Sequence, residues 1–187
     1  MNQINKSQEN PAVQESSCRD PKATPMPAEN PLGILVVNEQ SVLQVQEERL
    51  QSVARSVLAD SSYTDGMISI AVVDDTMIQQ LNRQFLEHDY PTDVLSFLLE
   101  DRCPYLEGEV VVSGHTAAAQ AALCGWPGED ELLLYVIHGC LHLVGYRDQD
   151  PVDRASMVAA ELAQLHKLDI ALPKDTARWL DPIEERP

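Results

Sequence analysis

The chain has 187 residues, 44% of them hydrophobic and only 5% aromatic, which suits one domain with a largely aliphatic core. A formal net charge of -17 repels phosphates at long range and argues against general nucleic-acid binding, while leaving room for a local basic patch. Cys18, Cys103, Cys124 and Cys140 form neither a C-x-x-C pair nor a dense framework, which favours unpaired thiols in a reducing cytoplasm, and no apolar run reaches the length of a membrane span.

Residues 1–31 are polar and proline-rich, with no apolar stretch of the signal-peptide kind, and read as a disordered tail. "LGILVVN" is the first expected strand. "SVLQVQEERLQSVARSVLAD" is an expected helix, with Val42, Val45, Val53, Val57 and Leu58 at helical spacing. "MISIAVV" is a second strand, and "DDTMIQQLNRQF" a helix opened by acidic cap candidates. The loop "LEHDYPTD" follows, then strands at "VLSFLL" and "EVVVS". "HTAAAQAALC" reads as a helix ended by Gly125, Pro127 and Gly128. "EDELLLYVIHGCLHLV" is a helix apolar nearly all round, hence buried, and stops at Gly145. "PVDRASMVAAELAQLHKLD" is the last helix, with Pro151 in its first turn. The expectation is a mixed α/β (α+β) domain over 32–170, a small mixed four-stranded sheet against helices. Residues 171–187 form a C-terminal extension that packs through Trp179.

The chemistry concentrates in "HGCLHLVGYRD", residues 138–148. His138 and His142 are four apart and share one helix face, close enough to hold one ion. Gly145 lets the chain turn back, so that Asp148 can face both imidazoles. Two imidazoles and a carboxylate with an open position make a catalytic Zn²⁺ site, where the ion acidifies a bound water. The alternative is ordinary: each histidine satisfied in the core by a backbone carbonyl, and Asp148 a solvated turn residue. The protease motif H-E-x-x-H is absent, because Gly139 stands at the glutamate position; helix packing is its favoured role, close approach of a substrate the other.

The same segment resembles the H-G-x-L-H-L-x-G-Y-D-H signature of the YbeY family, bacterial metal-dependent endoribonucleases of ribosomal RNA maturation. "LNRQFLEHDYPTDVLSF" resembles that family's L-N-x-x-Y-R-x-x-D-x-P-T-D-V-L-S-F segment, and "GEVVVS" its G-D-I-x-I-S strand. Glu131 stands where a glutamate usually precedes the histidine helix. The resemblance implies a zincin-like metal helix, one Zn²⁺ per chain, ribosomal RNA and the ribosome as partners, and protein partners in ribosome assembly. Of the family's three zinc histidines, two fall on His138 and His142. The third falls on Asp148 without a gap, or on Gln149 with one; a carboxylate is the better ligand.

Leu86 stands where the family motif has an arginine; Arg83, one turn earlier, is a weaker candidate for binding substrate from the same space, a surface role being the favoured alternative. Arg147 replaces an aspartate and is a candidate for binding a substrate phosphate, or else for an ion pair with Asp148 or Asp150. Asp93 could orient a histidine or water, or cap the turn into its strand. Between 32 and 170 there are seven Lys plus Arg against 22 Asp plus Glu. The leading expectation is a zinc-dependent single-strand endoribonuclease in small-subunit rRNA maturation and ribosome quality control. No side chain is assigned as general base, and a zinc-bound water would do the hydrolysis. The rivals are a ribosome-assembly factor with little nuclease activity and a metal-dependent hydrolase of a non-RNA substrate.

Overall fold

The computed structural model describes residues 32–175. The expected tail over 1–31 and the Trp179 packing lie outside the described residues. The elements are β1 (Gly33–Asn38), α1 (Glu47–Ala59), β2 (Asp65–Val73), α2 (Asp75–Leu86), β3 (Val94–Arg102), β4 (Tyr105–Ser113), α3 (Gly114–Cys124), α4 (Gly128–Leu143) and α5 (Pro151–Lys167). The mixed four-stranded sheet has the order β1-β2-β4-β3. β1 and β2 pair in parallel, as a helical crossover through α1 allows, and β2 and β4 are also parallel. β3 and β4 form an antiparallel hairpin.

Strand alternation divides the core in two. Ile34 and Val36 of β1, Ile68, Ile70 and Val72 of β2, and Leu106, Val110 and Val112 of β4 point to one face, where α1, α4 and α5 complete the main cluster. Val73, Leu95 and Val111 point to the other face and meet Ile78 of α2. α4 is central: it touches α1, α3, α5, β3 and β4, and every residue from Glu131 to Ile137 is buried. An all-round apolar helix has no solvent face to keep polar, as its sequence implied.

Two readings need correction. α1 begins at Glu47, not at Ser41. The Gln40 side chain accepts from the backbone N–H of Val42 and of Leu43, and donates to the Leu43 carbonyl. The side chain thus closes this stretch into a local turn of its own, and Val42 is left exposed. Cys103, at the tip of the β3–β4 hairpin, is disulfide-bonded rather than unpaired. A disulfide requires only that two Cβ atoms meet in space, which sequence spacing does not reveal. Among the described residues Cys124 and Cys140 are free. No helix among them is long and apolar enough to cross a membrane.

Candidate metal centre

α4 ends in a turn that re-aims the chain toward its own histidines. The Gly145 N–H donates to the His142 carbonyl and the Tyr146 N–H to the Leu141 carbonyl, each at 3.0 Å. This paired closure needs a left-handed residue, and Gly145 sits at φ +98° with nothing near its missing Cβ. Tyr146 then presents its carbonyl to Nδ1 of His142 at 3.0 Å. Two residues on, Asp148 faces the helix. The turn closes at Asp150, whose carboxylate accepts from the N–H of Val152 and of Asp153 and so caps α5.

The geometry brings His138, His142 and Asp148 together. Their ligand atoms lie within 4.8 Å of one another, with Asp148 Oδ2 3.8 Å from Nε2 of each histidine. The two Nε2 atoms are 2.9 Å apart, with the rings edge to face. Glu161, nearly buried on α5, has Oε1 2.7 Å from Nδ1 of His138. A carboxylate and a carbonyl can only accept, so both Nδ1 atoms carry the hydrogen. In the neutral rings both Nε2 atoms are then lone-pair donors, aimed at each other and toward a carboxylate oxygen. Three electron-pair donors converging at one point suit a cation, and an outer acceptor on each imidazole is the usual support of a metal-binding histidine.

The electrostatics separate the two imidazoles. Burial pushes the His138 pKa down, but the bond to Glu161 and the charges of Glu161, Asp93 and Asp148 outweigh it, and the value is raised. His142 is lowered, by burial and by the charge of His138. Of two imidazoles in contact, the one with the carboxylate keeps the proton.

The other expected residues separate. The Asp93 carboxylate accepts from its neighbours Thr92 Oγ1 and Val94 N, capping the entry to β3, while its charge is felt by His138. Gly139 is a packing residue: an added Cβ would lie 2.5 Å from Val110 Cγ1 and 3.0 Å from Ser96 Oγ, and Ser96 Oγ donates to its carbonyl. Arg147 is exposed and makes no ion pair with Asp148, Asp150 or any other of the described residues. Arg83 makes only a long surface contact, 3.8 Å, with Asp89, and Leu86 is exposed at the end of α2. Glu161 and the Tyr146 carbonyl went unread in the sequence. Glu161 did leave a signal: with Met157 and Leu165 it occupies the i, i+4, i+8 stripe that faces the core.

Residues 35–169 match the family described as Endoribonuclease YbeY. The protein of that name from Rhodopirellula baltica is 42% identical over 133 residues, covering 70% of this chain and 69% of its own length. The one from Syntrophotalea carbinolica is 40% identical over 118 residues, covering 60% of this chain and 79% of its own. The solution structure of TM1509 from Thermotoga maritima matches with a TM-score of 0.50 at 23% identity, over 82% of this chain and 99% of that one, a likeness of fold alone.

Proposed function

The chain belongs to the endoribonuclease YbeY family, and we propose that it is a metal-dependent hydrolase cleaving RNA phosphodiester bonds, with His138, His142 and Asp148 holding one zinc ion. The observation that carries this reading is the convergence of both Nε2 lone pairs and the Asp148 carboxylate, with Glu161 and the Tyr146 carbonyl fixing the ring tautomers. The donor set fits zinc, which takes imidazole nitrogen and carboxylate oxygen and keeps a fourth position in hydrolytic sites. When bound, such an ion polarises a phosphoryl oxygen and acidifies a water. Glu161 holds His138 in the productive tautomer. Asp148 balances the cationic charge. Arg147, exposed beside the site, supplies a guanidinium for a substrate phosphate. The setting we assign is ribosomal RNA maturation in the cytoplasm, alongside protein factors of ribosome assembly.

A second reading, an assembly factor with little nuclease activity, draws on Leu86, which is exposed where the family motif places an arginine, and on the excess of carboxylates. The experiment starts with metal analysis of protein purified without added metal, followed by cleavage of a ribosomal RNA fragment with and without chelator. Asp148→Ala should weaken metal binding and cleavage together, whereas Gln149→Ala should change neither. Metal loss in Gln149→Ala alone would refute the ligand set. Full metal without cleavage would favour the assembly factor, and stoichiometric iron in place of zinc would move the reading to ferrous chemistry at a two-histidine, one-carboxylate site.

A further inference from the structure

In a chain this acidic, a cation without a carboxylate partner is the exception. Seven Lys and Arg lie between residues 32 and 170, among 22 Asp and Glu. Arg49, Arg83, Arg102 and Lys167 each stand beside a carboxylate, and Arg55 donates to the Leu32 carbonyl. The other two, Arg147 and Arg154, make no ion pair among the described residues. Both flank the stretch that carries Asp148. Arg147 directly precedes it, and Arg154 lies one helical turn past the Asp150 cap, its N–H donating to the Asp150 carbonyl at 2.9 Å.

Arg154 is seated rather than loose. It is half-buried and shares the inward stripe of α5 with Met157 and Glu161. Its Nε is fully enclosed and finds no acceptor. The other two guanidinium nitrogens make no hydrogen bond to the described residues either, and they are the ones left open at the surface. Enclosing an N–H with no partner costs stability, so the needs of the fold do not explain this placement. Two acids are close in sequence, and neither neutralises it. Asp150 spends its carboxylate on the N–H groups of Val152 and Asp153, and Asp153, next to Arg154 on the helix, does not share its direction.

We infer that Arg154 binds a backbone phosphate of single-stranded RNA next to the one at the metal centre, so that the strand crosses the Gly145–Asp150 turn onto the start of α5. The inference rests on the endoribonuclease reading and deepens it: Arg147 takes the phosphate at the ion, and Arg154 takes its neighbour. Glu161, two turns further along the same stripe, is bonded to His138, so Arg154 lies on the face of α5 turned toward the metal ligands. A planar guanidinium with one edge seated and the other open suits a paired contact to phosphate. Such a site reads a polynucleotide backbone rather than one isolated phosphate group. It also gives an acidic chain a way to hold RNA. The net charge of -17 repels the strand at long range, while its two unpaired cations sit along the path across the turn.

The test uses the full chain loaded with zinc and a short single-stranded RNA, with binding read by stopped-flow anisotropy before cleavage accumulates. Arg154→Gln should weaken binding about 10-fold at low salt. It should also reduce the slope of log affinity against log salt by about 0.7, the share of one phosphate contact on a single strand. Arg154→Lys, which keeps the charge, should keep the slope. Arg55→Gln removes the same charge from α1 and should change affinity by no more than about 2-fold. Metal content should match wild type in all three variants. Neutral methylphosphonates placed one at a time locate the contact: the position beside the cleaved bond that weakens wild type should leave Arg154→Gln unaffected. Equal losses in Arg154→Gln and Arg55→Gln, an unchanged slope, or metal loss in Arg154→Gln would overturn the inference and leave the endoribonuclease reading standing. A wild type that neither binds nor cleaves RNA would remove both. If Arg154→Gln fails to fold, Arg154→Lys carries the test: its affinity should fall about 3-fold, and only for RNA charged at the located position. A fall that ignores the methylphosphonate's position would overturn the inference.

Discussion

Glu161 Oε1 lies 2.7 Å from Nδ1 of His138, so a carboxylate from α5 determines which nitrogen of an α4 imidazole is free. Glu161→Gln keeps the volume and removes the charge. Metal affinity should fall about 10- to 100-fold, the usual cost of losing such an outer partner. Competition with a chelator of known affinity measures it. An unchanged affinity would show that Glu161 only fills space.

Metal uptake should depend on pH in two stages. The folded-state pKa of His138 is raised and that of His142 lowered. As pH falls, a proton therefore competes first at His138, beginning above the ordinary histidine value of about 6.5. Apparent affinity should drop with a slope of one proton per ion there, and with a slope of two only at lower pH, where His142 also protonates. Titrations across pH read both slopes. A slope of two from the outset would contradict the split.

Gly139→Ala should damage both stability and the site. The new Cβ would press into Val110 and Ser96, on strands that cannot retreat, so α4 must shift. Overpacking of this kind costs about 1–3 kcal/mol. Because His138 and His142 ride on the same helix, metal affinity should fall as well. Thermal melts with and without metal test this; an unchanged melting temperature would mean the helix relocates freely.

Cys140 should be inert while the protein is folded. Burial pushes its thiol up to about 12, so at pH 8 the thiolate fraction is on the order of 10⁻⁴. Half-buried Cys124 should be alkylated first. Site-resolved mass spectrometry after brief exposure to iodoacetamide, with and without denaturant, distinguishes the two.

The parts legible in the sequence were those fixed by period and punctuation. α4 was readable because an apolar helix closed by a glycine has few alternatives, and its two histidines lay on one face by geometry alone. The start of α1 was not readable, since nothing in the spacing of Val42 and Val45 says that Gln40 binds the intervening backbone. That Asp148 faces both imidazoles could be read because the turn is short. Glu161 could not be, because its partner lies on another helix and depends on how α4 and α5 cross. Its place in an apolar stripe was the available warning.

The turn from Gly145 to Asp150 is anchored at both ends, by the glycine closure of α4 and by the Asp150 cap of α5. Beyond it, Glu161 reaches back to His138 from eleven residues down α5, about 16 Å at helical rise. An inserted or deleted residue in this turn has to be absorbed between the two anchors, in the stretch that carries Asp148, and so displaces its carboxylate from the imidazoles. The length of the turn is therefore a stricter constraint than its composition. Substitutions at exposed positions such as Arg147 and Gln149 can accumulate there, while a change of even one residue in length cannot.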